Sequence, residues 1–255
     1  MLTINPGQIQ SIDDRRDAVI LSTMEEATRY AVEHWVRLAK ASIAERGRFA
    51  VALSGGSTPN AIYKMLASPP YSHKIDWSKV FLFWSDERSV SPDHPDSNYR
   101  TAMTHGFSHL PLFPAQIFRM EAEKEIARSA EKYESAIRKT LGPTLFDLVM
   151  LGLGEDGHTA SLFPNTTALQ ENDRWVVAND VPEKKSGRMT LTIPCINQSW
   201  QSVFYVFGAA KQTIAHNVLR APRISPWPAS QIGTPERKSL WIMDAAAAAS
   251  LLREQ

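Results

Sequence analysis

The sequence is poor in the features that mark secreted, membrane-spanning and disulfide-stabilised proteins. It has one cysteine, Cys195, among 255 residues, so no disulfide can form within the chain, and we expect a reducing, cytoplasmic location. No apolar run approaches the roughly 20 residues that a membrane-spanning helix needs, so we expect no membrane partner. The N-terminal stretch also lacks the basic start and apolar segment of a signal peptide.

Neither sign of charge dominates. The chain has 28 Lys and Arg against 27 Asp and Glu, a formal net charge of +1, without a basic cluster. This balance argues against a nucleic-acid partner. Apolar residues make up 43% of the chain, which is ordinary for a globular protein of this length. Because there is no repeat and no low-complexity linker, we expect residues 1–255 to form a single domain.

Short apolar runs alternate with helical patterns along the chain. Strands are predicted over residues 48–53, 80–84, 146–153, 175–180, 188–193, 203–207 and 240–243. Helices are predicted over residues 22–45, 121–141 and 209–219, and an alanine run at 245–249 predicts the start of a last helix. This alternation predicts an α/β fold with a largely parallel sheet and helices on both faces.

The most informative stretch is residues 145–164, LFDLVMLGLGEDGHTASLFP. A buried strand runs into a glycine-rich turn that contains Asp156, Gly157 and His158. Asp156 is a suitable N-cap for a short helix that Pro164 would end. His158 would then lie where a strand's carboxyl end meets a helix N-terminus, and open α/β sheets bind ligands at that place.

Two other interpretations of this turn remain open at the level of residues. Its glycines match the dinucleotide fingerprint G-x-G-x-x-G, but Pro164 interrupts the long crossover helix that this fold requires. A histidine on an ordinary strand-to-helix turn, without any ligand, is the simpler alternative.

A second glycine-rich turn, SGGSTP, follows the predicted strand at 48–53. Gly55, Gly56 and Ser57 precede a helix for which Thr58 is the predicted cap and Pro59 the first residue. Strand, glycine turn and helix N-terminus together form a cradle for phosphate. The Gly-Lys of a nucleotide-binding P-loop is absent, and a tight turn without a ligand remains the alternative.

Charged residues follow the strand at 80–84 directly, in the sequence SDER, and a polar loop is predicted over residues 93–99. Arg88 belongs to this group, and Arg188 and Lys211 lie later in the chain. Taken alone, these cations would be solvated surface charges or members of weak surface salt bridges.

The motifs SGGSTP, WSDERSV with PDHPDSNYR, GEDGHTASLFP, RMTLTIP and the lysine after VFYVFG occur in this order. Together they closely resemble the 6-phosphogluconolactonases. They resemble the glucosamine-6-phosphate isomerases/deaminases less closely, because those share the phosphate loop and an Asp-Gly-His but continue differently. The resemblance implies a modified Rossmann-like fold and hydrolysis of 6-phospho-D-glucono-1,5-lactone in the oxidative pentose phosphate pathway.

The resemblance also implies roles for particular residues. His158 would be the catalytic base, and no metal and no cofactor would be needed. The substrate and its phosphate would be bound by Gly55, Gly56, Ser57, Arg88, Asp156, Gly157, Arg188 and Lys211. We expect a small sugar-phosphate lactone as the only ligand, and a monomer or small homo-oligomer.

The chemistry suits these residues. A lactone is an activated acyl group, so a positioned water and a general base suffice. We expect the helix N-terminus to keep the imidazole neutral, and the exposed N–H groups of the turn to stabilise the oxyanion. The rival isomerase needs a carboxylate base, and Asp86 is available for it, although the neighbouring Arg88 would weaken that base. A non-catalytic sugar-phosphate-binding module is the second rival.

Overall fold

The computed structural model describes residues 7–142, 145–182 and 186–253. Its strands in chain order are β1 (Gln10–Ser11), β2 (Arg16–Leu21), β3 (Phe49–Leu53), β4 (Val80–Trp84), β5 (Asp86–Arg88), β6 (Leu148–Leu151), β7 (Val176–Val181), β8 (Ser186–Leu191), β9 (Ser202–Val206) and β10 (Ser239–Asp244). Its α-helices are α1 (Met24–Arg46), α2 (Ser57–Leu66), α3 (Asn98–His105), α4 (Ile126–Leu141), α5 (Ile193–Gln198), α6 (Gln212–Arg220) and α7 (Ala249–Arg253).

The main sheet has the strand order β1-β2-β10-β9-β6-β3-β4. Every neighbouring pair is parallel except β1 and β2. The prediction of an α/β fold with a largely parallel sheet is therefore confirmed. The sequence pattern did not predict β2, because its apolar run follows charged residues and is short.

Two predicted strands lie outside the main sheet. β7 and β8 correspond to the predictions at 175–180 and 188–193, but they pair antiparallel with each other and with β5. These three strands form a separate small sheet, in the order β5-β8-β7. A period-two pattern predicts a strand without identifying its partner. The prediction that these two strands belong to the parallel sheet was therefore wrong.

Helices cover both faces of the main sheet. Trp35 of α1 packs edge-on against Phe49 of β3, with ring centroids 4.7 Å apart. Phe83 of β4 packs against Tyr133 of α4 and against Phe146, at 6.1 and 5.3 Å. The parallel register of β3 and β4 places Phe49 and Phe83 on opposite faces. Each such buried aromatic side chain contributes about 1.5–3 kcal/mol through burial of apolar surface.

The helix ends correct several predictions. Thr23 caps α1 and Gly47 ends it with φ 72°, close to the predicted bounds. α4 begins only at Ile126 rather than at residue 121. Most of the alanine run at 245–249 forms a turn, and the last helix, Ala249–Arg253, is short. Propensity favoured a helix there, but Asp244 binds the Ala247 N–H and holds the turn.

The carboxyl ends of β3 and β6 lie side by side, and the chain leaves them in opposite directions. From β3 it continues outward to β4, whereas from β6 it crosses to β9 on the other side. This reversal creates a crevice at the carboxyl edge, which is where open α/β sheets bind ligands. Both glycine-rich turns, at 54–56 and 152–157, follow these two strands. No helix among the described residues is long and apolar enough to cross a membrane.

Candidate active site at the carboxyl edge of the sheet

A cavity of about 590 Å³ opens at the carboxyl ends of β3, β4 and β6. Its lining residues are Ser54, Gly55, Asp86, Arg88, Asn98, Gly152, Leu153, Gly154, Glu155, Asp156, His158, Ala160 and Lys211. A smaller cavity of about 370 Å³ adjoins it and shares Asp86, Arg88, His158 and Ala160 with it. Of the predicted site residues, the structure therefore brings Gly55, Arg88, Asp156, His158 and Lys211 to one cavity and Arg188 to its neighbour. Gly56, Ser57 and Gly157 line neither of them.

The turn that carries His158 is not followed by a helix. Residues 155–166 form turns and bends, with one isolated bridge between Thr159 and Leu162. Ala160 adopts φ 47°, a left-handed conformation that no α-helix contains. The predicted short helix is therefore wrong, and so is the expectation that its N-terminus keeps His158 neutral.

Asp156, rather than a helix N-terminus, is the group that orients His158. Its Oδ1 lies 2.5 Å from Nδ1 of His158 and accepts the His158 backbone N–H at 3.1 Å. Burial opposes ionisation of Asp156, but the hydrogen bonds and charge of His158 outweigh it and hold the pKa of Asp156 below its usual value. An ionised carboxylate accepts hydrogen bonds only, so Nδ1 carries a proton, and in the neutral imidazole Nε2 is then the proton acceptor.

Packing around the ring restricts the imidazole further. Phe163 stacks on His158 with ring centroids 4.1 Å apart and planes 25° from parallel. The ring also lies close to the Gly154 backbone, where an added Cβ would be 2.0 Å from Nδ1. His158 retains 27% side-chain exposure, so the ring is held in place and still reaches the cavity.

Gly157 has a structural role rather than a visible binding role. Its φ is 79°, and a Cβ at this position would lie 2.6 Å from the Cβ of Trp227. The N–H groups of Gly154, Gly157 and His158 all bond within the turn, to the His158 carbonyl, the Gly154 carbonyl and Asp156. These three N–H groups are therefore not available for an oxyanion, and its stabilisation by other N–H groups of the turn stays a prediction.

The second glycine turn has an open helix N-terminus. Gly56 is the N-cap of α2 with φ 114°, and no side chain of the described part of the chain caps this helix. The prediction of Thr58 as the cap is therefore wrong. Tyr63, in the second turn of α2, fixes the glycine turn by donating to the Ser54 carbonyl at 2.6 Å and accepting the Ser54 N–H at 3.1 Å. Uncapped N–H groups at a rigid helix start suit an anion.

Two arginines face each other at the edge of the small sheet. Arg88 of β5 pairs directly with Arg188 of β8. Burial, and then the charge of Arg88, lower the pKa of Arg188. Directly opposed like charges destabilise a strand pair, and the charges of Asp86, Asp96 and Glu87 offset part of this repulsion at Arg188.

Lys211 completes the positive side of the cavity. It ends the 3₁₀ turn Ala209–Lys211 that follows β9, as its predicted position after the strand implied. Within the described chain its ammonium group forms no salt bridge, and it lines the larger cavity.

Sequence reasoning did not assign a substrate-binding role to Asp86 or Asn98, although both line the larger cavity. Asp86 accepts the Ser161 hydroxyl at 2.6 Å and the Asn98 amide at 3.1 Å. Asn98 begins α3 within a segment predicted to be a loop, where Ser97 supplies the N-cap. A Ser-Asn pair before a helical pattern was the available signal. The described residues contain no group of three or more His, Cys, Asp or Glu side chains suited to a metal ion.

Comparison with known proteins points to a single family. The family model "Glucosamine-6-phosphate isomerases/6-phosphogluconolactonase" matches residues 22–241. The chain is 40% identical to the 6-phosphogluconolactonase of Chlamydia muridarum, over 91% of this chain and 90% of the relative. It is 34% identical to the probable 6-phosphogluconolactonase 1 of Arabidopsis thaliana, over 94% of this chain and 95% of the relative.

Solved structures agree with the sequence relatives. The 6-phosphogluconolactonase of Thermotoga maritima superposes with a TM-score of 0.77 at 28% identity, over 89% of this chain and 98% of that one. The Trypanosoma brucei enzyme gives a TM-score of 0.80 at 26% identity, over 92% and 98% of the two chains. A monomeric glucosamine-6-phosphate deaminase shares the fold with a TM-score of 0.77 at 20% identity. With a family model matched over most of its length and close relatives across nine-tenths of it, this chain belongs to the glucosamine-6-phosphate isomerase/6-phosphogluconolactonase family.

Proposed function

We propose that His158, oriented by Asp156, is the general base of a 6-phosphogluconolactonase. The activity is the hydrolysis of 6-phospho-D-glucono-1,5-lactone to 6-phospho-D-gluconate in the oxidative pentose phosphate pathway, as the names of the curated relatives indicate. The observation that carries the residue assignment is the 2.5 Å contact between Asp156 and His158 Nδ1 inside the cavity. It prepares Nε2 to accept a proton.

The reaction needs one proton carrier. Nε2 of His158 removes a proton from water while the water oxygen bonds to the lactone carbonyl carbon, giving a tetrahedral intermediate. Collapse of this intermediate breaks the bond to the ring oxygen. The imidazolium returns its proton to that oxygen, which becomes the free hydroxyl of the gluconate. Asp156 stabilises the imidazolium between the two transfers, as a carboxylate does in a catalytic triad.

The phosphate would be bound on the positive side of the cavities. Gly55, Gly56 and Ser57 present the uncapped start of α2, and Lys211 faces the larger cavity with its charge unpaired among the described residues. Arg88 lines both cavities. We include Arg188 because a phosphate dianion between the two arginines would remove their repulsion.

We further propose that no cofactor and no metal take part, because the acyl group is already activated. We also propose that residues 1–255 form one domain, that the protein acts in the cytoplasm and that it is a monomer or small homo-oligomer. A sugar-phosphate lactone would be its ligand.

The decisive experiment compares two substrates. We expect rapid hydrolysis of 6-phosphogluconolactone, followed by proton release or by coupling to 6-phosphogluconate dehydrogenase. We expect no ammonia release from glucosamine 6-phosphate above background, because both carboxylate oxygens of Asp86 are already bound by Ser161 and Asn98. Ammonia release at a comparable rate would overturn the proposal in favour of a deaminase.

A further inference from the structure

Glu87 is a buried carboxylate for which the proposed reaction has no use. It is 3% exposed and lines neither cavity. Its Oε1 accepts the N–H of Arg88 at 2.9 Å and the N–H of Asn98 at 2.8 Å. Its Oε2 accepts the N–H of Tyr99 at 2.8 Å and the hydroxyl of Ser97 at 3.1 Å.

These four bonds join two elements that are separate in sequence. One donor belongs to β5 and the others to the start of α3, so the carboxylate closes the loop of residues 89–96 at its base. A negative charge is favourable at the N-terminus of a helix, where the first N–H groups of α3 have no partners within the helix. Burial raises the pKa of Glu87, while the bonds from Tyr99, Asn98 and Arg88 act in the opposite direction. Burying a carboxylate costs free energy, and the four hydrogen-bond donors around Glu87 offset that cost.

The four hydrogen bonds of Glu87, called the clamp below, lie next to the group that Arg88 contacts. The Arg88 guanidinium donates to the backbone carbonyl of Asp96 at 2.6 Å, and Asp96 immediately precedes the residues that Glu87 holds. On the other side, Arg188 stands opposite Arg88 and repels it. The Asp96 carbonyl offsets this repulsion only while the loop end is fixed. If Asp96 moved away, the flexible Arg88 side chain would turn toward solvent.

We propose that Glu87 is a positioning residue that keeps Arg88 directed into the cavities by fixing the Asp96 carbonyl. This inference rests on the proposed role of Arg88 in phosphate binding. It adds a residue that touches no substrate and acts on substrate affinity through one arginine.

Glu87→Gln tests the inference. The glutamine amide presents one acceptor oxygen, and its NH₂ group faces an N–H donor, so half of the clamp is lost. We expect KM for 6-phosphogluconolactone to rise about tenfold, as for the loss of one charge-assisted phosphate contact, with kcat within about threefold. KM for unphosphorylated gluconolactone should not change. A merely structural role would instead lower the active fraction, and therefore kcat, at constant KM.

Ser97→Ala is a milder variant for use if Glu87→Gln does not fold. It removes one of the four donors, and the side-chain cap of α3 with it, but leaves the carboxylate in place, so we expect a smaller rise in the same KM. Glu125→Gln is the matched control. Glu125 accepts the Arg128 N–H at 2.9 Å at the start of α4 and lines neither cavity, so its KM should equal that of the unmodified enzyme.

A double variant separates this inference from the proposed function. If Glu87 acts through Arg88, Glu87→Gln adds nothing to the KM of Arg88→Ala. An unchanged KM in Arg88→Ala alone would show that Arg88 does not bind the phosphate, and it would overturn the role of Glu87 as well. A raised KM in Arg88→Ala with no effect of Glu87→Gln, or with an equal further rise in the double variant, would overturn the role of Glu87 alone.

Discussion

At the scale of single residues, His158 shows how two neighbours prepare one imidazole. Asp156 binds Nδ1, and the stacked Phe163 restricts the ring. Nε2 is then the nitrogen that can bind a water molecule in the cavity. The carboxylate is two residues from the histidine it orients. In the proposed reaction, the Asp-Gly-His sequence therefore contains both the base and the group that fixes its tautomer.

We expect His158→Ala to lower kcat about 10²–10⁴-fold, the usual contribution of a general base, with little change in the affinity for 6-phosphogluconate. Single-turnover rates and calorimetric binding of the product would measure the two quantities. Asp156→Asn should lower kcat about 10²-fold or more, because an amide no longer enforces the required tautomer. Near-normal turnover of His158→Ala would exclude it as the base.

Lys211 belongs to the same scale, because its contribution is a single charge. Charge-assisted hydrogen bonds to phosphate contribute about 1.5–3 kcal/mol each. We expect Lys211→Ala to raise KM for the phosphorylated lactone about tenfold or more and to affect unphosphorylated gluconolactone far less. Equal effects on the two substrates would show that Lys211 does not recognise the phosphate.

At the scale of elements, the turn after β6 depends on its backbone. Gly157 combines φ 79° with close packing against Trp227, and the Ala229 N–H donates to the Gly157 carbonyl at 3.0 Å. The segment around Trp227 therefore packs against the turn, and an irregular loop rather than a helix carries His158.

We expect Gly157→Ala to lower both the melting temperature and kcat, since the side chain meets Trp227 and the backbone strain of a left-handed residue costs about 1–2 kcal/mol. Gly47→Ala is the control. Gly47 has a similar φ of 72°, but an added Cβ there has no atom within 4 Å. Thermal unfolding and steady-state kinetics of both variants would separate the effect of backbone strain from the effect of steric contact with Trp227. Equal losses would mean that contact with Trp227 is unimportant.

At the scale of the whole molecule, the core and the site lie in different places. Trp35 of α1 is fully buried and contacts Phe49 and Trp77 at centroid distances of 4.7 and 5.7 Å. The cavities open at the carboxyl edge and include none of these three residues. Stability and substrate binding should therefore respond to different substitutions.

We expect Trp35→Ala to lower the free energy of unfolding by about 3–5 kcal/mol through the cavity it leaves. Denaturant unfolding would measure this loss. At temperatures where the variant stays folded, KM for the lactone should match that of the unmodified enzyme. A changed KM would show that the packing of α1 reaches the site.

By itself, the sequence determined the alternation of strands and helices, the two glycine turns and the family. These are local properties, because a buried strand, a glycine turn and a helix cap each depend on neighbouring residues. His158 and the turn around Gly55 were predicted for that reason, and the structure places both at one cavity.

Only the tertiary structure decided which strands pair and which groups meet. The strands predicted at 175–180 and 188–193 joined β5 in a separate sheet, and this pairing sets Arg188 opposite Arg88. The clamp at Glu87 likewise depends on contacts between residues about ten positions apart. The helix predicted after Asp156 failed to form, because packing against Trp227 and the bond from Asp156 to His158 favour an irregular turn. Partners remote in sequence leave no local pattern, so the fold alone reveals them.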